Sequence, residues 1–406
     1  MKKVSVRHSL IDLLAFRGLV GNRKKRISRG SPQPQPVHPV NALAEQVHPT
    51  LLNLVVTAVR DESNTTRTYR LEPDVATGMS GLPHFRAGQY LSLKVDVDGT
   101  HITRPYSISS APCEAMGAGG FYEIALKRVD NGFLTSWAWE HWREGSQIAS
   151  SGPLGFFYHE PLRDAPTIIG LAGGSGITPF RSMAREIVHG SSLAANLLLL
   201  YGSSDEGDIP FVGEFRELEA KSAGRVRVVH VLSCEQVSMP DCEQGFVTAA
   251  IIQKHGDVAA SSIFLCGPQA MYRFVDTELP KLGLPPKRIR REAFGEVKDI
   301  TAVDGFLTER ADKAYRLKVR IGNVETEIPA QGTETVLVAM ERANLAPPSQ
   351  CRSGECGFCR SLLLSGEVFV VPDSDGRRAA DRELGFIHPC SSYPLSDLEV
   401  VAPRGV

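Results

Sequence analysis

The segment QCRSGECGFCR, residues 350–360, places Cys351, Cys356 and Cys359 and two glycines within nine positions, and Cys390 follows after 30 more residues. Thiols this dense serve as disulfides, metal ligands or catalytic nucleophiles. The spacing C-x4-C-x2-C with a distant fourth cysteine suits four thiolates converging on two irons. A tight loop presents three of them and the fourth arrives from elsewhere in the fold. Gly354 and Gly357 allow the backbone to wrap closely and aim N–H groups at sulfur. A zinc site more typically sets a C-x2-C pair against a second close pair. A disulfide framework belongs to an oxidising compartment, and no secretory signal points to one.

The flanks fit this reading. AYRLKVRIGNVETEIPA, residues 314–330, has the alternation of a β-hairpin, and TVLVAMERANL, residues 335–345, the period of a helix. Together with the cysteines, the segment from about 314 to 406 resembles a plant-type ferredoxin domain. The resemblance implies the α+β β-grasp fold and a 2Fe–2S cluster held by Cys351, Cys356, Cys359 and Cys390.

A chain of 406 residues exceeds a single core and implies about two to four domains. A net charge of −1 gives no argument for nucleic-acid binding. No apolar run reaches the roughly 18 residues of a bilayer span. The expected location is cytoplasmic, with the eight cysteines reduced or metal-bound.

Five pieces follow one another along the chain. Residues 1–50 form a basic extension and a Pro-rich linker. Residues 51–163 alternate short β-rich runs with turns, as an antiparallel β-barrel does. Residues 164–298 alternate strands with helical patterns, the mark of an α/β domain with a parallel sheet. Residues 299–313 read as a second linker before the ferredoxin-like segment 314–406.

Four further stretches carry cofactor chemistry. RPYSISS, residues 104–110, follows a barrel strand. In KRVDNGFLTSWAWEHW, residues 127–142, a glycine turn leads into a helix with Thr135 as its expected N-cap, where free N–H groups bind phosphate. LAGGSGITPF, residues 171–180, joins a strand to a helix. Gly173, Gly174 and Gly176 permit a close backbone turn, Thr178 is the expected N-cap and Pro179 suits the first helical position. The helix end so formed faces an anionic pyrophosphate. FLCGPQAMY, residues 264–272, ends a later strand.

These stretches resemble motifs of the ferredoxin–NADP reductase superfamily. From about residue 51 to 406 their order is similar to that of phthalate-dioxygenase-reductase-like proteins, which join a flavin barrel, a nicotinamide domain and a C-terminal 2Fe–2S ferredoxin. The resemblance implies that Arg104, in the run with Pro105, pairs with the flavin pyrophosphate, that Tyr106 packs on the flavin and that Ser107 sits near N5. Gly132 and Thr135 stand where the family usually has Gly-x-x-Ser. Gly173, Gly174, Gly176 and Thr178 correspond to the nicotinamide-binding loop. Cys266, Gly267 and Pro268 correspond to a segment beside the nicotinamide, with Cys266 where the two rings meet. Phe294 resembles an aromatic near the flavin. The flavin is FAD or FMN, since RPYS does not separate them.

Nucleotide choice rests on YGSSDEGDIPF, residues 201–211. Asp205 or Glu206 can accept from the adenine ribose and repel a 2′-phosphate, which favours NADH, while Ser203 and Ser204 suit the phosphate of NADPH. Nicotinamides deliver hydride and clusters pass single electrons, so the expected protein is an NAD(P)H-dependent flavin/iron–sulfur reductase serving a protein electron acceptor. That acceptor is an oxygenase or demethylase component, a hybrid-cluster or corrinoid protein, or a larger complex in which this chain is the input subunit. No Rieske-type Cys-x-His pair or haem domain points to a terminal oxygenase.

Residues 1–30 carry nine Lys or Arg against Asp12. HSLIDLLAFRGLVGNRKKR sets a stripe of Leu10, Leu13, Leu14 and Phe16 beside a basic run. Such a helix can meet an acidic partner or an anionic membrane surface, or it can be a solvated tail or dock on its own domain.

Overall fold

The computed structural model describes residues 10–30, 38–47, 49, 51–129, 132–234, 238–292, 295–297 and 299–404, with only the backbone of 10–16, 45–47 and 373. The chain forms two compact units, Met1–Gln46 and Val47–Val406. In the first, α1 spans Leu10–Ser28 and α2 Pro39–Val47. The basic run Arg23–Arg26 is exposed. The apolar stripe from Leu10 to Phe16 lies outside the residues whose side chains are described. The proline-rich residues 31–37 are also outside, but Pro39–Val47 is helical where an extended linker was expected. Proline is compatible with a first helical position because its missing N–H would be unpaired there anyway.

The second unit begins with a six-stranded antiparallel sheet: β1 Leu52–Asp61, β2 Thr66–Pro73, β3 Tyr90–Val97, β4 Thr100–Ser107, β5 Tyr122–Lys127 and β6 Gln147–Leu154, in the order β4-β3-β6-β1-β2-β5. Alternation decides its faces: Leu52, Leu54 and Val56 of β1 turn inward with Tyr69, Leu71, Leu91 and Leu93. The sheet curls until Ile108, just past β4, bridges Ile124 of β5. Helix α3, Phe133–His141, covers one end, with Leu134 and Ala138 buried.

Six parallel strands follow. They are β7 Thr167–Gly173, β8 Asn196–Ser203, β9 Val226–Leu232, β10 Glu243–Gln244, β11 Ser261–Cys266 and β12 Ile289–Glu292, in the order β10-β9-β8-β7-β11-β12. Helices α4 Thr178–His189, α5 Val212–Lys221, α6 Ala249–His255 and α7 Gln269–Glu278 connect them. The central runs IIGLA, LLLLY and SSIFLC are buried on both faces, which is why they lack polar alternation. Strand order reverses between β7 and β11. In open α/β sheets ligands bind outside the carboxyl ends of the strands at such a point.

The last sheet comprises β13 Ala314–Ile321, β14 Val324–Gln331, β15 Ser361–Ser365, β17 Phe386–Ile387 and β19 Leu398–Ala402, ordered β14-β13-β19-β15-β17. Strands β16 Val368–Val370 and β18 Ser392–Pro394 pair beside it. Helix α8, Val336–Arg342, packs Val336, Leu337, Ala339 and Met340 into this core, and α9 spans Ala379–Glu383. The expected hairpin over 314–330 and helix over 335–345 are both present. Residues 299–313 are not a loose linker: Ile300 and Phe306 are buried against Val371 and Tyr393.

Candidate functional site

Glycines bring the two nicotinamide motifs together. Any side chain on Gly176 would strike the Cys266 carbonyl, and one on Gly173 would strike Met271 Sδ and Pro268. Gly174 has φ +50° and opens onto free space, a conformation glycine adopts without strain. Gly267 lies against Gly173, so a Cβ there would meet Met271 Sδ and the Gly173 backbone. Thr178 is the first residue of α4 rather than its cap: Ile177 takes that place and Pro179 is second. A short helical turn, Gly174–Ile177, runs directly into α4 and moves the boundary, and Thr178 Oγ1 donates to Ser175 O at 3.1 Å.

At the far end of β8 the acids divide their roles. Asp205 is exposed and one of its oxygens accepts from Gly207 N–H at 2.8 Å. Glu206 accepts from both the N–H and Oγ of Ser238. Asp208 accepts from Thr65 Oγ1 at 2.6 Å and Lys127 at 3.0 Å, tying this loop to the barrel.

In the barrel, Arg104, Pro105, Tyr106 and Ser107 end β4, and Ser107 is directly opposite Tyr90 of β3. Ser107 is buried and Tyr106 packs partly against the barrel core. Thr135 does not cap α3. Gly132 holds that position, and Thr135, in the first turn, accepts from Val129 N–H at 3.3 Å. Gly132 has no room for a side chain, because a Cβ would strike Thr135 Oγ1.

Cys266 ends β11 beside Glu292, its register partner at the end of β12. Burial pushes the Cys266 thiol well up, with Glu292 adding to the shift. Burial likewise holds the Glu292 carboxyl well above the usual range, with Glu355 and Cys351 next in effect. Both shifts favour the uncharged forms. Tyr90 shares the electrostatic surroundings of Cys351, Cys356, Glu292 and Glu355. Gly155 closes the gap between the Tyr90 ring and Glu292. Tyr90, at the start of β3 and opposite Ser107, is thus close to Glu292 at the end of β12 and to the cysteine loop. Sequence reading passed over Tyr90 and Glu292. The signal available was the strand ending at Glu292, two residues before Phe294, which itself lies outside the described residues.

The four thiols fit a two-iron cluster. Cys351, Cys359 and Cys390 are buried and Cys356 is exposed. Backbone N–H groups point at sulfur: Ser353 and Cys356 donate to Cys351 Sγ at 3.5 and 3.4 Å, Gly354 to Cys390 at 3.3 Å and Phe358 to Cys356 at 3.4 Å. Cys359 and Cys390 lie 3.5 Å apart. Gly354, at φ +82°, abuts Ser374 O and Ser391, leaving no space for a Cβ. Four N–H donors around anionic sulfur are what a cluster needs to hold its negative charge. Among the described residues no three His, Cys, Asp or Glu side chains are arranged to hold a lone metal ion. Sharing four thiolates between two irons is a different geometry.

Buried ion pairs lock the two nucleotide-facing domains. Arg181 of α4 is 1% exposed and donates to Glu123 of β5 at 2.7 Å, Ser109 Oγ at 3.0 Å and Glu214 at 2.8 Å. Burial opposes charge on Glu123, but Arg181 and Arg185 outweigh it and hold the carboxyl below its usual range.

Three family models match in sequence order: an oxidoreductase FAD-binding domain over residues 53–159, an oxidoreductase NAD-binding domain over 171–277 and a 2Fe-2S iron-sulfur cluster binding domain over 319–395. The ferredoxin reductase component of 3-ketosteroid-9-alpha-monooxygenase from Mycolicibacterium smegmatis is 29% identical over 86% of this chain and 95% of its own length. The glycine betaine monooxygenase reductase subunit of Chromohalobacter salexigens is 28% identical over 78% and 87%. The solved structure of phthalate dioxygenase reductase is 26% identical, covers 87% of this chain and 98% of its own, and superimposes with a TM-score of 0.60.

Proposed function

Because this chain belongs to the phthalate-dioxygenase-reductase-like members of the ferredoxin–NADP reductase superfamily with a C-terminal 2Fe–2S domain, we propose that the acceptor of its electrons is an oxygenase component. The chain is a flavoprotein oxidoreductase of the NADH-dependent kind, and its products are single electrons for a partner redox protein. The observation that carries the reading is Tyr90, which stands opposite Ser107 in the flavin strand, lies across Gly155 from Glu292, the register partner of Cys266, and is close enough to Cys351 and Cys356 to feel their charge.

A bound FAD would supply the chemistry that turns a two-electron hydride donor into a source of single electrons for the 2Fe–2S cluster. Arg104 supplies a guanidinium fork for the flavin pyrophosphate, and Gly132 with the first turn of α3 leaves N–H groups toward phosphate. Gly173, Gly174 and Gly176 let the backbone approach the nicotinamide pyrophosphate, while Asp205 accepts from the adenine ribose. Neutral Cys266 and Ser107 flank the hydride path and exclude charge from it, with Gly267 and Pro268 shaping the pocket wall. Cys351, Cys356, Cys359 and Cys390 each supply one thiolate.

Among the described residues no helix is long and apolar enough to cross a membrane. We assign the protein to the cytoplasm, a reducing compartment consistent with eight cysteines free of disulfides. The relatives' names support an oxygenase rather than a corrinoid or hybrid-cluster acceptor. Cross-linking the NADH-reduced protein in an extract of its own cells, followed by mass spectrometry, tests this. The expected product is an oxygenase subunit, and a corrinoid protein in its place overturns the proposal.

A further inference from the structure

The ferredoxin helix α8 lies against barrel strand β4, and one carboxylate spans the seam. Glu341 is 4% exposed. Its Oε1 accepts from Arg352 Nη1 at 2.5 Å and from the backbone N–H of Thr103 at 3.4 Å, and its Oε2 stands 3.5 Å from Arg104 Nη1. Arg352 is itself 1% exposed, adopts φ +57° and also pairs with Glu296 in the segment that leads out of the nucleotide domain. It directly follows the ligand Cys351. Around this knot, Ser92 Oγ donates to Gln350 O at 3.3 Å and His101 N–H to Asn344 Oδ1 at 3.5 Å.

We propose that Glu341 is a positioning residue for the electron step. By holding Arg352 of the cluster loop and the Thr103–Arg104 stretch of the flavin strand on one carboxylate, it sets the separation of the two redox sites. The charges make it specific. Arg104 and Arg352 repel each other, and Glu341 is the acid that touches both. Without it, the buried Arg352 and the partly buried Arg104 are left with Glu296 as their neighbouring acid, and a buried charge short of a partner pulls toward water. The seam then opens while each domain keeps its own core. The inference rests on the flavin-to-cluster order proposed above.

Glu341→Gln preserves shape and removes the charge. Stopped-flow spectroscopy on the protein loaded with FAD and cluster reads the two steps separately. In the wild type, flavin bleaching by NADH must precede cluster reduction; if it does not, the order itself fails, whatever Glu341 does. In Glu341→Gln, bleaching keeps its rate, cluster reduction slows by about tenfold or more, and the electron paramagnetic resonance spectrum of the dithionite-reduced cluster is unchanged. Unchanged cluster reduction, or equal slowing of both steps, overturns the proposal. Should Glu341→Gln lose its cluster, Glu341→Asp, which keeps the charge and shortens the reach, is expected to hold the cluster and still reduce it slowly. If both variants lose it, Glu341 is a folding residue of the ferredoxin domain and the proposal falls.

Discussion

Replacing Arg181 by Met tests how the barrel and the nucleotide domain are joined. The substitution retains the apolar stem against Phe211, whose ring lies 4.5 Å from the guanidinium, and deletes the bonds to Glu123, Ser109 and Glu214. Removing one partner of a buried pair costs about 3–5 kcal/mol, because the remaining charge stays in a place that water cannot reach. Here the lower end applies. Arg185 still stands 3.1 Å from Glu123 and Arg60 3.8 Å, and Glu214 is partly exposed to solvent. A loss of about 3 kcal/mol lowers the melting point of the joined domains by roughly 6–12 °C, at about 2–4 °C per kcal/mol for a unit of this size. Release of flavin fluorescence on heating reports it. The double variant Arg181→Met/Glu123→Gln recovers part of the loss, because no buried carboxylate is then left short of a partner. A drop of less than about 2 °C in the single variant, or a double variant worse than the sum of its parts, would refute the reasoning.

Three further outcomes follow from the site. Cys356→Ser removes one thiolate: iron and acid-labile sulfide fall below about two each per chain, reduction of cytochrome c by NADH is lost, and NADH–ferricyanide activity persists; an intact cluster in this variant would contradict the ligand set. Asp205→Ser lowers the preference for NADH over NADPH by about tenfold, the worth of one hydrogen bond to a charged acceptor; wild-type protein that already prefers NADPH would reject the assignment. Burial opposes the charge on Asp208, yet Ser63, Thr65 and Lys127 hold its carboxyl down at about 2 from 3.8. A depressed carboxyl stabilises the fold above the unfolded value and loses that support as pH falls through the folded one. Asp208→Asn therefore removes a contribution that the wild type loses only between about pH 4 and 2, and the two melting curves should converge below that range. Equal melting temperatures at pH 7 would count against the tie.

Much of this protein is determined by local sequence. The cysteine spacing, the alternation in β13 and β14, the doubly buried runs IIGLA, LLLLY and SSIFLC, and the glycines after β7 each follow from a few adjacent residues and a period of 2 or 3.6. Helix starts were misplaced by a residue or more at Thr135 and Thr178, because α3 already begins after Gly132 and the short turn Gly174–Ile177 runs directly into α4. The helix Pro39–Val47 was hidden by the proline-rich run that leads into it, and the packing of 299–313 by the distance to its partners Val371 and Tyr393. Only the tertiary structure could put Glu292 beside Cys266, Arg181 on Glu123 and Arg352 on Glu341. A buried charge is tolerable only with a partner, and any part of the chain can supply it. Glu123 and Arg181 are 58 residues apart in sequence, and nothing in the neighbourhood of either announces the other. The fold brings such groups together across domain seams, where charge, distance and burial decide what the cofactor-binding motifs can do.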